Sequence, residues 1–346
     1  MDDLEGFIQG LPKAELHVHL EGCLTPDLAA RLAKRNNMNL PESVSKASSS
    51  TGFAFHDLIS FLAVYYPAMS VLQTPQDFHD LAMDYLTIAH SQNIRHCELF
   101  FDPQAHTSRG VTFSTVVEGY SSALTKAQTD FGISCSLIMC FLRDHSADSA
   151  MTTLTSLLSL PKSTTSLITG IGLDSDERNN PPSKFTEVFA LAREHNYNLT
   201  AHCDIDQQNT LSHIHQALHD LKVHRLDHGT NIIDSPDLID YAIKHNIGLT
   251  TCPISNSIVT SDFKGKEILE LLREGVKVTV NSDDPAYFRG YLSENLLKLV
   301  RETDVMWSEV VRMQRNAFEI SWVDEERRVM LLRELCEYAR KYGLEF

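Results

Sequence analysis

Short apolar runs recur along this chain and alternate with longer stretches whose apolar residues are spaced three or four positions apart. The runs predict strands buried on both faces, and the spaced stretches predict amphipathic helices. The predicted strands are the run that contains His17 and His19, followed by residues 94–101, 133–142, 167–173, 198–202, 223–226, 248–251 and 276–280. Eight strands that are each followed by helical sequence predict an α/β fold, a (β/α)8 TIM barrel.

Two segments add to this alternation. Residues 53–71, which follow the first strand and a Ser-rich loop at 43–52, are dense in aromatic side chains, and the tail at 294–344 has a helical pattern throughout. The aromatic segment either packs as plain core or lies over the C-terminal mouth of the barrel, where ligands bind. We therefore expect inserted helices after strand one and extra C-terminal helices. No repeat, low-complexity tract or linker interrupts the chain, so residues 1–346 are expected to form a single barrel domain.

The composition narrows the class of partner. The chain has 46 acidic and 30 basic residues, and its net charge of −16 opposes binding to nucleic acid or to an anionic membrane. No apolar run approaches the roughly 18 residues that a membrane span needs. The acidic start of the chain is unlike a signal or transit peptide, and seven dispersed cysteines without CxxC spacing indicate reduced thiols. These features predict a cytoplasmic protein that acts on a small molecule, with the oligomeric state left open, a homo-oligomer included.

The first strand offers a pair of metal ligands. Side chains alternate along a strand, so His17 and His19 point to the same face. Two such histidines can also face solvent or pack in the core. Matching chemistry downstream favours the metal, because His202 can add a third nitrogen and Asp283 a carboxylate oxygen. Zinc is the ion that most often takes such ligands. We predict one zinc ion per chain, with a zinc-bound hydroxide as the nucleophile.

Two further residues at strand ends are candidates for chemistry. His228 follows the sixth strand and could orient the hydroxide or carry its proton, or it could simply bond to backbone. Asp284 adjoins Asp283, cannot point in the same direction, and is free to bond a substrate nitrogen. In a barrel these strand ends meet on one face, where active sites lie. Residues 61–66 and 180–184 are expected to border the same pocket.

The motifs around these residues resemble the adenosine/adenine deaminase family of the amidohydrolase superfamily over nearly the whole chain. They are Leu16-His17-Val18-His19-Leu20-Glu21-Gly22, Arg225-Leu226-Asp227-His228-Gly229, Cys252-Pro253-Ile254-Ser255-Asn256 and Ser282-Asp283-Asp284-Pro285. Other details are similar to fungal and bacterial adenine deaminases, among them Gly172-Leu173-Asp174-Ser175 and Glu21, where adenosine deaminases usually have the Asp that meets the ribose.

This resemblance implies a role for each candidate. His17, His19, His202 and Asp283 would bind zinc, and His228 would serve the hydroxide. Asp284 would bond the imidazole part of a purine, and Glu21, Asp174 and Ser175 would contact the substrate.

One departure from the family affects the chemistry. The family has His-Ala-Gly-Glu after strand five, and the Glu protonates the purine ring, whereas this chain has His202-Cys203-Asp204-Ile205-Asp206. An alkyl side chain at position 205 cannot move a proton. Asp204 and Asp206 would project from the same side as His202 if the backbone stays extended. Asp204 is therefore the candidate acid and Asp206 a candidate substrate contact, unless both simply bond loop amides.

The sequence thus predicts a zinc-dependent deaminase acting on adenine or a related amino-substituted N-heterocycle, an N6-substituted purine or adenosine-type compound included. Two alternatives stay open. One is hydrolysis of an amide or a non-purine ring at the same metal centre. The other is a non-catalytic ligand-binding relative that has lost its acid.

Overall fold

Eight parallel strands lie side by side in sequence order in the computed structural model, which describes residues 3–47, 51–203 and 208–344. The strands are β1 (Lys13–His19), β2 (Ile94–Phe101), β3 (Ser134–Leu142), β4 (Ile168–Asp174), β5 (Asn198–Cys203), β6 (Arg225–His228), β7 (Gly248–Thr251) and β8 (Lys277–Val280). Beyond β8, Asp283 forms a parallel bridge with Val18 of β1. This bridge returns the sheet to its first strand and confirms the predicted (β/α)8 barrel.

Helices surround the strands and occupy the segments between them. They are α1 (Leu4–Gly10), α2 (Pro26–Arg35), α3 (Glu42–Ser45), α4 (Leu58–Ala68), α5 (Pro75–Ser91), α6 (Pro103–Thr107), α7 (Phe113–Phe131), α8 (Ala147–Ser159), α9 (Lys162–Thr165), α10 (Thr186–Glu194), α11 (Thr210–Gln216), α12 (Pro236–His245), α13 (Pro253–Val259), α14 (Gly265–Glu274), α15 (Pro285–Phe288), α16 (Leu292–Glu302), α17 (Trp307–Ile320) and α18 (Glu325–Lys341). Within the described ranges, no helix is both long and apolar enough to cross a membrane.

The inserted and C-terminal helices agree with the sequence in outline and differ in detail. Four helices, α2 to α5, separate β1 from β2. Residues 43–45 of the predicted loop belong to α3, and residues 48–50 of that loop lie outside the described ranges. The tail is three helices rather than one continuous run. It is interrupted at residues 303–306 and 321–324, and in the second interruption the backbone N–H of Trp322 donates to Glu98 inside the barrel, a contact that the helical pattern does not reveal.

Charged and aromatic side chains close the N-terminal end of the barrel. Arg225 of β6 donates to Glu98 of β2 at 2.5 Å, and its guanidinium lies 3.7 Å from the centre of the Trp322 ring. Gly170 of β4 allows this packing, since a Cβ there would lie 2.3 Å from the Trp322 ring. With this end filled, a ligand has to enter at the opposite mouth, where the strands end.

Candidate active site

Four side chains from three parts of the barrel converge at the C-terminal mouth. His17 and His19 come from β1, His202 from β5, and Asp283 from the segment after β8, and one donor atom of each lies within 4.8 Å of the others. Nε2 of His17 is 3.2 Å and Nε2 of His19 is 3.4 Å from Oδ1 of Asp283, and the Nε2 atoms of His19 and His202 are 3.1 Å apart. All four side chains are buried. The structure brings together every residue that the sequence nominated as a zinc ligand.

Neighbouring groups orient two of these imidazoles through their other nitrogen. Nδ1 of His17 lies 3.0 Å from both the carbonyl oxygen and the hydroxyl of Thr250. Nδ1 of His202 lies 3.2 Å from Oδ2 of Asp227, whose Oδ1 accepts hydrogen bonds from Thr200 and Thr250. A proton held on Nδ1 leaves the Nε2 lone pair for the centre of the cluster, which is the arrangement of metal-binding histidines.

The charges of the cluster suit a bound cation, because its carboxylate is held charged and the imidazole of His19 is held neutral. Burial alone would raise the pKa of Asp283, but the surrounding imidazoles, His17 first, bring it well below its ordinary value. Burial and then His202 hold the pKa of His19 well below its ordinary value, so that its ring is neutral. Nε2 of His17 is buried and has no hydrogen-bond partner among the described residues. Three imidazole nitrogens and one carboxylate are the donors that a divalent ion of the zinc type prefers.

His228 stands beside the cluster with a free nitrogen. Its Nδ1 lies 3.0 Å from the amide oxygen of Asn256, which can only accept, so Nδ1 carries the proton. Its Nε2 is 3.8 Å from Oδ2 of Asp283, an oxygen that also accepts from Ser255 at 2.6 Å. Burial lowers the pKa of His228 to about 3. The ring is therefore neutral at physiological pH and can accept a proton at Nε2.

Three site residues other than glycine have backbone angles in the left-handed region. They are Ser175 with φ 74°, His228 with φ 60° and Asp283 with φ 65°. Each lies at or just beyond the carboxyl end of a strand, and each such residue costs of order 1 kcal/mol or more. Strain of this kind persists where the surrounding structure needs a side chain in one particular direction.

Three residues of the cluster, His19, His202 and Asp283, line a cavity at the C-terminal mouth of the barrel together with His228. Its polar lining also includes Asp102, Asp174, Ser175, Ser255 and Asp284. Its apolar lining is supplied by Leu58, Phe61, Leu62, Tyr65, Tyr66 and Phe288. The aromatic segment therefore borders the pocket as predicted, and α4 supplies most of that border.

Residues 180–184 do not line the cavity among the described residues, contrary to the prediction. The carbonyl oxygen of Asn180 accepts from Nε of Arg143, and Lys184 donates to the carbonyl oxygen of Arg143. Arg143 in turn donates to the carbonyl oxygen of His202 at 2.7 Å. This segment thus supports the end of β5 from behind rather than contacting a ligand.

Of the other predicted substrate contacts, Asp174 and Asp284 lie at the cavity and Glu21 does not. Asp174 and Asp284 line the cavity, and burial raises the pKa of Asp174 to about 6. Burial and the adjacent charge of Asp283 raise the pKa of Asp284 well above its ordinary value. Glu21 is fully buried outside the cavity lining, where its Oε1 accepts from His106 and Tyr120.

Asp204 and Asp206 lie outside the described residues, so their candidate roles remain predictions.

Sequence reasoning missed Asp102. This residue is 2% exposed, lines the cavity, and has its pKa raised by burial and by Asp174. A usable signal was present, since Asp102-Pro103 follows a strand in the same way as Asp284-Pro285.

Three imidazoles and a carboxylate converge at the mouth of a (β/α)8 barrel, with a neutral imidazole beside them. This arrangement is that of a metal-dependent hydrolytic enzyme.

The Adenosine deaminase family model matches residues 12–338. An uncharacterized deaminase of Schizosaccharomyces pombe is 48% identical over 343 residues, covering 99% of this chain and 100% of the relative. An adenine deaminase of Zymomonas mobilis is 42% identical over 348 residues, covering 99% and 100%.

A solved structure gives the same relationship. The crystal structure of adenine deaminase from Arthrobacter aurescens is 40% identical and superposes with a TM-score of 0.88 over 95% of this chain and 99% of that chain. The chain therefore belongs to the adenosine deaminase family. It is an enzyme, a hydrolase that acts on C–N bonds, as the resemblance implied.

Proposed function

We propose that this protein is a zinc-dependent hydrolytic deaminase of a free 6-aminopurine base, adenine or an N6-substituted relative. The observation that carries the proposal is the convergence of four buried side chains, those of His17, His19, His202 and Asp283, beside the neutral His228. The names of the relatives at 40% identity and above, several of them adenine deaminases, point to the same substrate class.

The four converging side chains would hold the ion. Their donor set, three imidazoles and one carboxylate, is typical of catalytic zinc with room for a further ligand. When bound, such an ion supplies Lewis acidity that brings the pKa of water toward neutrality. Asp227 and Thr250 keep the Nε2 lone pairs of His202 and His17 directed at it.

His228 would move the proton of the attacking water. Its Nδ1–H is committed to Asn256, so its Nε2 takes the proton while water adds to the amine-bearing carbon. The same nitrogen then holds that proton close to the departing amine. General base catalysis of this kind typically contributes 10²–10⁴-fold.

The ring nitrogen beside the reacting carbon also needs a proton, because addition of water breaks the aromaticity of the ring. Ile205 cannot supply it. Asp204, two residues after the candidate ligand His202, is our candidate on sequence grounds, with Asp206 as the second. Asp204→Asn is expected to lose at least roughly 10²-fold in turnover with zinc retained. Activity near that of the wild type would transfer the acid role to Asp206 or exclude purine deamination.

The lining favours a flat neutral base over a nucleotide. Phe61, Tyr65 and Tyr66 supply aromatic surface, and no Lys or Arg is among the described lining residues. A phosphate group in this acidic cavity would have no cationic partner. Asp284 lines the cavity, and its carboxyl group is placed to bond a ring nitrogen of the base.

Metal analysis combined with a substrate panel tests the proposal. We expect one zinc per chain, loss of adenine absorbance with release of ammonia, and little or no turnover of AMP. Asp283→Ala should lose metal and activity together, whereas His228→Ala should keep the metal and lose turnover. Protein without a stoichiometric divalent ion, or with AMP as the better substrate, would overturn the proposal. Cleavage of an amide in place of adenine would favour the alternative hydrolysis at the same centre.

A further inference from the structure

Asp102 and Asp284 occupy equivalent positions on the two sides of β1. Each is the residue before a proline that begins a short helix, α6 or α15, and their backbone angles are nearly the same, φ −112° and ψ 81° against φ −117° and ψ 72°. β2, which leads to Asp102, pairs with one edge of β1, and the segment that leads to Asp284 bridges to the other edge. Both side chains line the cavity.

Both carboxyl groups also have an oxygen without a partner. Oδ1 of Asp102 and Oδ1 of Asp284 are buried and make no hydrogen bond to any described residue. An unsatisfied buried acceptor is costly, and when it lines a ligand cavity the ligand is its natural partner. Oδ1 of Asp102 can therefore accept a hydrogen bond from a ligand in the cavity.

The surroundings of Asp102 specify the kind of donor. Its carboxyl group faces that of Asp174, and one oxygen of each lies within 4.8 Å of His19. Glu21 adds a further carboxyl group nearby. A ligand group with negative charge is excluded here, and a neutral N–H suits the free oxygen.

The position of Asp102 specifies which part of the ligand it meets. Nε2 of His19 faces the other candidate metal ligands, His202 and Asp283. Its Nδ1 lies 3.6 Å from Asp174, the neighbour of Asp102. Asp102 thus lies on the side of His19 remote from the cluster. The reacting carbon has to sit at the cluster, and a ring system that extends from there past His19 would bring its opposite edge to Asp102. In a free purine base that edge carries the imidazole N–H, which in a nucleoside is replaced by the bond to ribose.

We infer that Asp102 accepts a hydrogen bond from the imidazole N–H of the base and thereby selects free bases over compounds substituted at that nitrogen. This inference rests on the proposed function. It assigns Asp102 a specificity-determining role separate from the contact expected of Asp284.

A substrate comparison combined with variants tests this role. The substrates are adenine and 9-methyladenine, which lacks the N–H. Wild-type enzyme should prefer adenine by roughly 10-fold or more in kcat/KM, and Asp102→Ala should bring the ratio of the two substrates close to one with zinc retained. Asp102→Asn keeps an acceptor oxygen and can donate to Asp174, so it should restore most of the preference. Asp144→Ala, at an exposed position at the same end of the barrel, is the matched control.

Each contrary outcome has a distinct meaning. Equal use of both substrates by the wild type would refute the inference even if the alanine variant does not fold. An unchanged ratio in Asp102→Ala, with both rates lowered alike, would show that Asp102 only supports Asp174 and His19. A wild-type enzyme with bound zinc that turns over neither adenine nor 9-methyladenine would overturn the proposed function itself, and the inference with it.

Discussion

Oδ2 of Asp227 lies 3.2 Å from Nδ1 of His202. The other nitrogen of that imidazole, Nε2, faces the candidate metal ligands His19 and Asp283. Burial lowers the pKa of His202, but the hydrogen bond and charge of Asp227 outweigh burial and raise it. Asp227 therefore makes the imidazole of His202 more basic, and a more basic imidazole is a stronger metal ligand at Nε2. Two residues that pair across β5 and β6 thus link protonation to metal affinity.

Asp227→Asn is expected to weaken metal binding by roughly 10- to 100-fold, because the amide supports the required tautomer of His202 less well. Competition with a chelator of known affinity measures the change. Asp240→Asn, at an exposed position on α12, should leave the affinity unaltered. Equal affinities for wild type and Asp227→Asn would show that His202 needs no such partner.

Local sequence was sufficient to predict that His17, His19, His202 and Asp283 lie together. The His-x-His spacing of His17 and His19 directs both rings to one face of a strand, and in a parallel barrel the carboxyl ends of β5 and β8 lie around the same mouth as the end of β1. The pattern of apolar and polar residues likewise predicted the strands and most helices, because each type of element has its own local periodicity.

Contacts between distant residues were not predictable in this way. Glu98 and Arg225 are separated by 127 positions and pair inside the barrel. The sequence around either residue does not predict this pairing. Glu21, which is expected to contact the substrate, lies outside the cavity lining and accepts hydrogen bonds from His106 and Tyr120, two partners that lie far along the chain. Asp102 lines the cavity beside Asp174, a neighbour 72 positions along the chain that only the closed barrel brings to it.

Asn256 is expected to matter for catalysis and not for metal binding. Its amide oxygen fixes the proton of His228 on Nδ1, so Asn256→Ala should allow the unproductive tautomer and lower kcat by roughly 10-fold or more while KM and zinc content change little. Ser257→Ala is the control on the same helix, since its hydroxyl donates only to a backbone carbonyl. A fall in zinc content of Asn256→Ala would instead indicate a structural role.

Asp77 is expected to make stability depend on pH. Burial would raise its pKa, but hydrogen bonds from Arg35 and from the backbone of Gln73 and Thr74 lower it overall. A carboxyl whose pKa is lower in the folded state stabilises the protein above its unfolded pKa, near 3.8, and loses that effect as the pH falls through the folded value. Asp77→Asn should therefore lower the free energy of unfolding by about 1–3 kcal/mol at pH 7.

Chemical denaturation at several pH values measures the effect of Asp77. The deficit of Asp77→Asn should be constant between pH 7 and 5 and should shrink below about pH 3.8. Asp80→Asn, which removes a more exposed partner of Arg35, should cost well under about 1 kcal/mol. A deficit in Asp77→Asn that is independent of pH throughout would assign the effect to packing rather than to charge.

Gly22 is expected to control the position of Asp284 through close packing. A Cβ at position 22 would lie 2.1 Å from Oδ1 and 2.7 Å from Cα of Asp284, so Gly22→Ala has to displace the backbone of Asp284 and not merely rotate its side chain. A shift of about 1 Å in a substrate-positioning group can cost about 10²-fold. We expect kcat/KM for adenine to fall by roughly that factor, and by more than zinc affinity falls.

A double variant separates this route from general damage to the site. If Gly22 acts through Asp284, then Gly22→Ala should add little to the defect of Asp284→Ala, because the group that it displaces is already gone. Cys23→Ala, at the next buried position, is the control and should retain near-normal kcat/KM. Additive losses in the double variant, or full activity in Gly22→Ala, would show that the close approach of Gly22 does not set the position on which substrate binding depends.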